Sequence, residues 1–370
     1  MRFKCNKVYL LKAQLVNNLK YAIFLCLYIC ISINLFSIEI EVIKNPKPTC
    51  SEKNIASLVL IKSISNIDDK TFFAQPTAMT ADANSNIYIY DSLHCKIFKF
   101  DKNNKFIISF GGQGANPGTF GKPGNFVTIG CGKDGNLYTC ENMKKRVMVF
   151  SVDGKHIKNY KITPWRIFQP VVDEKGNFYL PSSSNGMVDV EDLKSNRKTT
   201  LLSENEYRRC LFINPTYYFS RAEIFSNYFN TDIYLLSDSN ILIYNRNAST
   251  FYLLDKNYRL KRKANLWPEN ALNSYQKRLL EFQKDEDFEN AWIPFFRPLF
   301  IDGDEKNIFY LQARTDEFKV LLYAFDLRGQ LVKVLKIGDD ELVRFKCKQN
   351  NLFYGFGSNN DIKIYKEGIK

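Results

Sequence analysis

The chain has 370 residues, 45% of them apolar and 15% aromatic, with 21 Tyr and 30 Phe. This is ample material for a large core; it excludes a disordered chain and favours strands over helices. The net charge of +13 suggests anionic partners, but five of the cations (Arg2, Lys4, Lys7, Lys12 and Lys20) lie in the first 37 residues, which hold no acid, so the remainder carries only +8. A surplus of that size suits weak attraction to lipid headgroups or acidic polymers, and nucleic acid is not expected as a partner.

In chain order, the first element is an uncharged apolar run over residues 21–36 (YAIFLCLYICISINLF) behind a basic segment. That layout predicts a signal peptide or membrane anchor over residues 1–37, followed by a linker over 38–56. The protein is therefore expected to be exported and to reside in the periplasm, on a membrane anchor or at the cell surface, with membrane attachment through this segment. Next comes a β-branched run, LVLIKSI at 58–64, that belongs to no repeat.

From there a repeat organises the chain. Six times a polar turn ends in Asn and an apolar strand begins, at Asn86, Asn136, Asn177, Asn240, Asn307 and Asn351, with spacings of 50, 41, 63, 67 and 44 residues. Runs such as DANSN and DEKGN supply the positive φ values and local side-chain hydrogen bonds that tight hairpins require. A second turn follows at a similar distance in FDKNNK, FSVDGK, LDKNYR and FDLRGQ. Strand, turn, strand, loop, strand, turn, strand is a four-stranded meander, and its repetition predicts propeller blades at about 77–110, 126–162, 167–202, 232–264 and 297–337. Between the last two, residues 270–291 place Leu272, Tyr275, Leu279 and Phe282 at helical spacing, which predicts an inserted amphipathic helix.

The sixth unit, 342–365, has three strands and lacks a fourth. The orphan run 58–64 fills that place and closes the ring, removing sheet edges that invite aggregation. The expected fold is all-β, a six-bladed β-propeller over 57–370 closed by an N-terminal strand.

Six cysteines follow the apolar leader, at 50, 95, 131, 140, 210 and 347, without a CxxC pair, and with only His94 and His156 beside them a zinc site is not predicted. The glycine-rich GGQGANPG at 111–118 joins two strands and precedes no helix, so it reads as a linker and not a phosphate loop. No paired catalytic carboxylates, Ser-His-Asp set or GxSxG elbow is legible, and no cofactor is implied. Asp82, Asp173 and Asp302, near first-strand ends, read as turn residues.

Residues 75–155 resemble tandem NHL repeats. Gln75-Pro76, Asp91, Lys96-Ile97 and Phe100-Asp101 match one repeat, and Lys122-Pro123, Arg146-Val147 and the run 150–154 match the next, with Glu141 where the pattern has Asp. From Trp165 onward only the period persists. The resemblance implies a six-bladed binding platform, in a family of protein and RNA binders whose relatives include lyases and lactonases. It also implies that Asp91 and Glu141 shape loops and perform no chemistry.

In a meander, the loops after the second strands and the links between blades share one face. All three tryptophans, Trp165, Trp267 and Trp292, fall in such links, where aromatic side chains offer large contact area at small entropic cost. With Arg246, Arg297 and Arg314 as a positive rim, they are the candidate ligand face. The function expected is non-enzymatic binding of a protein or glycan in the cell envelope. The alternative is a metal-dependent hydrolase or lyase of lactonase type, which needs acids and amides converging on the central channel.

Overall fold

The computed structural model describes residues 41–44, 55–141, 144–162, 169–181, 186–192, 195, 197–203, 231–236, 238–245, 250–266, 299–303, 308–314, 320–337, 343–349 and 351–368. They build twenty-five strands. The apolar leader and the inserted helix at 270–291 lie outside the described residues.

Two strands precede the repeat: β1 (Glu41–Lys44) and β2 (Ile55–Ile64). Blade 1 is β3 (Pro76–Ala81), β4 (Ile87–Asp91), β5 (Lys96–Phe100) and β6 (Phe106–Gly111). Blade 2 is β7 (Val127–Cys131), β8 (Leu137–Glu141), β9 (Arg146–Phe150) and β10 (His156–Lys161). Blade 3 is β11 (Val171–Val172), β12 (Asn177–Pro181), β13 (Gly186–Asp192) and β14 (Arg197–Ser203). Blade 4 is β15 (Thr231–Leu235), β16 (Ile241–Asn245), β17 (Thr250–Leu254) and β18 (Leu260–Asn265), with β1 added beside β18. Blade 5 is β19 (Leu299–Gly303), β20 (Phe309–Arg314), β21 (Val320–Phe325) and β22 (Leu331–Ile337). Blade 6 is β23 (Arg344–Gln349), β24 (Leu352–Phe356), β25 (Ile362–Glu367) and, as its fourth strand, β2.

The central strands are apolar on both sides because both sides are buried. In β4 (IYIYD) and β16 (ILIYN) every residue is buried, a continuous pattern expected of strands covered on two faces. Ile89 and Phe98 pack toward blade 6, whereas Tyr88, Tyr90 and Ile97 pack toward blade 2. Each of the six junctions between neighbouring blades has its own apolar cluster among the described residues. First strands lie side by side around the axis: β3 beside β7, and so on through β11, β15, β19 and β23 back to β3. Gly130 permits the close approach of blades 2 and 3, since a Cβ there would stand 2.0 Å from the Pro170 carbonyl oxygen.

The closure expected from residues 58–64 is present: β2 pairs antiparallel with β25, from Leu58 opposite Glu367 to Ile64 opposite Ile362. Ser63 Oγ donates to Asp361 Oδ2 at 2.5 Å and pins the strand's end. A second pairing was not anticipated. The start of β2, Ile55 to Leu58, runs parallel to Val334–Ile337 of β22, which joins blades 5 and 6 into one eight-stranded sheet.

Turn chemistry explains the repeat. After β3, Asp82 Oδ1 accepts the N–H of Asn84 and Asn86, while Oδ2 accepts Asn86 Nδ2 and the Tyr88 hydroxyl at 2.8 and 3.0 Å. Asp134 with Asn136 and Tyr138, and Asp173 with Asn177 and Tyr179, repeat the arrangement. Asp82 and Asp173 are thus turn residues, as the sequence suggested. Within these runs the positive φ falls on the residue before the Asn, at Ser85, Gly135, Gly176 and Ser239, and on the Asn itself at Asn351. The Asn side chain is occupied in bonding the Asp. In the second turns Asp101, Asp255 and Asp326 each accept two backbone N–H groups, and Asn104, Tyr258 and Gly329 take positive φ. These two turns define one face of the disc, the turn face. Second-to-third loops and blade links define the opposite, linker face.

Leu58 is buried in the cluster between blades 5 and 6, so Leu58→Ala is expected to destabilise the propeller by about 2–5 kcal/mol. The exposed neighbour Val59→Ala should stay within about 0.5 kcal/mol of the parent in the same urea titration.

Candidate functional site

The best-defined part of the linker face is built on blades 1 and 2. At the end of β4, Asp91 is fully buried, and its carboxylate organises two loops at once. Oδ2 accepts the backbone N–H of Ala74 and Gln75 at 2.7 and 2.9 Å; Oδ1 accepts those of Leu93 and His94, both at 3.1 Å. The His94 ring nitrogen Nδ1 stands 3.2 Å from the same oxygen. Ser92 extends the network, with Oγ donating to Gln75 Oε1 at 2.6 Å and its carbonyl accepting from Gly124 at 2.9 Å. A buried charge is tolerable only when paired or hydrogen-bonded, and here four amide donors meet it.

At the same place in blade 2, Glu141 is equally buried. Its longer side chain reaches one backbone donor, Gly121 N–H at 2.9 Å on Oε1, and turns Oε2 to Arg146, whose Nε and guanidinium amine lie 2.7 and 2.6 Å away. Arg146 also donates to the Thr119 carbonyl at 2.6 Å. The link between the blades is thereby tied to β8 and β9. Both acids shape loops, as the repeat pattern implied. In blades 3 and 4 the last paired residue of the second strand is Pro181 and Asn245, so the acid belongs to the first two blades among those described.

The glycine-rich link behaves as a linker. Its residues 111–120 fold back so that Phe120 fills the gap between blades 1 and 2, 4.9 Å from the Tyr90 ring centroid and 6.1 Å from that of Phe150. Gly111, at φ 96°, lies against the Phe120 ring, where a Cβ would come within 2.5 Å.

Three large apolar side chains stand out of this hydrogen-bonded surface: Phe72 is 61% exposed, Leu93 49% and Phe126 44%. Phe72 lies two residues before the Ala74 held by Asp91, Leu93 tips the Asp91 loop, and Phe126 follows the Gly124 bound to Ser92. The loops beneath all three are joined by the Asp91 and Ser92 bonds. Of the candidates read from the sequence, Trp165, Trp267, Trp292, Arg246 and Arg297 lie outside the described residues. Arg314 ends β20, paired with Val320, at the linker-face end of blade 5. Phe72, Leu93 and Phe126 were not singled out from the sequence; the available signal was a bulky apolar residue flanked by polar ones in a loop. Among the described residues no three His, Cys, Asp or Glu side chains converge as metal ligands.

A family model described as a six-bladed β-propeller, DUF5128, matches residues 68–293. The chain belongs to this family. The match runs from the approach to blade 1 through blade 4, so the closing strand and the last two blades of this DUF5128 propeller lie beyond it. No curated protein matches the sequence. Among solved structures, the Bacteroides fragilis protein BF0058 is 11% identical with a TM-score of 0.54, the alignment covering 90% of this chain and 99% of that one. A DUF4221-family protein from Bacteroides vulgatus is 12% identical with a TM-score of 0.53, covering 86% and 99%. At such identities the likeness is one of fold.

In this DUF5128 propeller the four described cysteines, Cys95, Cys131, Cys140 and Cys347, are unbridged thiols set in or beside strands, where they act as small apolar residues. Burial, with Glu141 alongside, pushes the Cys140 thiol up to about 12. At pH 8 it is therefore expected to resist iodoacetamide in the folded protein and to react once urea unfolds it, as read by mass spectrometry. Arg146→Ala removes the nearer of the two cations on buried Glu141, leaving Lys144 at 3.6 Å, and should cost up to about 3–5 kcal/mol. Adding Glu141→Gln should recover part of that loss, a coupling readable in a double-mutant cycle.

Proposed function

We propose that the protein is an exported, non-enzymatic binding propeller that captures a protein partner on its linker face. The observation that carries this reading is the exposed set of Phe72, Leu93 and Phe126 on loops held rigid by buried hydrogen bonds. Exposed apolar side chains of this size, on a framework that loses little entropy on binding, are what protein recognition uses. An exposed Leu93 alongside two exposed phenylalanines in the same loop set suits apolar side chains better than a sugar ring, which favours flat aromatic faces. Trp165, Trp267 and Trp292, with Arg246, Arg297 and Arg314, remain the further candidates that the sequence assigns to this face.

Other observations support parts of the reading. The basic and then apolar N-terminal segment has the order of an export signal, and BF0058 carries the description of an exported protein. The resemblance of residues 75–155 to NHL repeats agrees with a binding platform. The buried acids of this face, Asp91 and Glu141, spend their oxygens on loop amides and Arg146, which fits a framework for binding.

A photo-crosslinking amino acid placed in living cells at Leu93, and in parallel at Asn103 on the turn face, tests the proposal. A discrete protein adduct is expected from position 93 and none from 103. Equal adducts from both faces, no adduct at 93, or adducts of carbohydrate alone would overturn it.

A further inference from the structure

Around Leu93 and Phe126 the acids are withdrawn from the surface and the bases are left on it. The segments 91–96, 111–126 and 141–146 contain two acids, Asp91 and Glu141, and both are fully buried. Asp91 is met by four backbone amides, and Glu141 is paired with Arg146. Three lysines of the same segments, Lys96, Lys122 and Lys144, are exposed, and they gather around Gly121. The Gly121 carbonyl oxygen lies 3.8 Å from the sulfur of Cys95, the residue before Lys96. A Cβ on Gly121 would stand 3.2 Å from Lys144 Cε, and Lys122 follows it in the chain. Lys144 reaches back to Glu141 at 3.6 Å and to the Gly114 carbonyl at 3.3 Å. Lys96 and Lys122 make no ion pair among the described residues. The bond from Gly124 N–H to the Ser92 carbonyl, at 2.9 Å, holds the loops of Leu93 and Phe126 together beside them.

We propose that the partner presents an acidic segment to this surface, with apolar side chains on Leu93 and Phe126 and carboxylates on Lys96 and Lys122. The inference rests on the linker face being the binding surface and adds the charge of what binds there. An incoming carboxylate meets two lysines that no acid of this chain already holds, so it forms pairs without breaking any. Charges bordering an apolar contact speed the encounter and turn away cationic sequences. A bilayer of anionic lipid fits this surface less well. Near Phe72, Asp68 and Asp69 are exposed with Lys70 beside them, and a continuous layer of anionic headgroups would meet these acids too. A peptide needs its acids at one end only.

The test pans a random-peptide display library on the full chain and screens the enriched peptides against two variants, Leu93→Ser and the double variant Lys96→Gln with Lys122→Glu. Peptides lost on Leu93→Ser are expected to combine Leu or Phe with Asp or Glu. They should bind the lysine variant about tenfold more weakly, and the unaltered chain several-fold more weakly once salt is raised to about 0.5 M. The salt readout does not depend on the variants folding. Peptides that need Leu93 but carry no excess of acid, or that hold their affinity in the lysine variant and in salt, would overturn the acidic segment and leave the linker-face reading intact. If no enriched peptide needs Leu93, both readings fail. Co-sedimentation with phosphatidylglycerol vesicles that is lost in the lysine variant would replace the acidic segment with a lipid surface.

Discussion

The constraint on which the structure depends is that each blade buries both faces of its central strands. A sheet with one apolar face needs one partner; these sheets, with Ile89 and Phe98 on one side and Tyr88 and Tyr90 on the other, need two. An open row of blades would leave two apolar faces in water, so the arrangement is satisfied only by a ring. The six clusters, one at each junction, show that it is satisfied. Closure follows from the same demand. Leu58 and Ala56 of β2 complete the cluster between blades 5 and 6, so the strand that fastens the ring also supplies part of its core.

Once the blades are locked, the two faces of the disc take different roles. Turn-face hairpins are built from short-range chemistry, in which an Asp carboxylate binds the amides and the Asn or Tyr that follow it. On the linker face of blades 1 and 2 the connections are ordered by buried acids reaching across to other loops, as Asp91 does to Ala74 and Glu141 to Gly121. Such bonds are strong because the carboxylates are shielded from water and met by amide donors. They let Phe72, Leu93 and Phe126 project without collapsing onto the surface.

Much of the fold is legible in local patterns. The Asn-ended turns mark the hairpins because at Asn86, Asn136, Asn177 and Asn240 an Asp two or four residues earlier bonds the Asn side chain, a contact written wholly in the sequence. The buried strands are legible because continuous apolar runs of four or five residues between turns leave few other arrangements. The candidate site was less legible. Sequence reasoning picked rare residue types, the tryptophans, whereas exposure of Phe72 or Phe126 depends on what neighbouring loops leave uncovered. Phe120 and Phe126, six residues apart in one link, are indistinguishable by composition. One is sealed between blades and the other faces water.

The sequence by itself determined the meander, the number of blades and the need for residues 58–64 to close them, because hairpin turns and two-sided burial are encoded over a few residues. Only the tertiary structure decided that Ile55 to Leu58 also pair parallel to β22, that Asp91 and Glu141 bridge separate loops, and that Tyr258 adopts a positive φ. These depend on distances between segments tens to hundreds of residues apart, which are set when the ring closes and by no local preference.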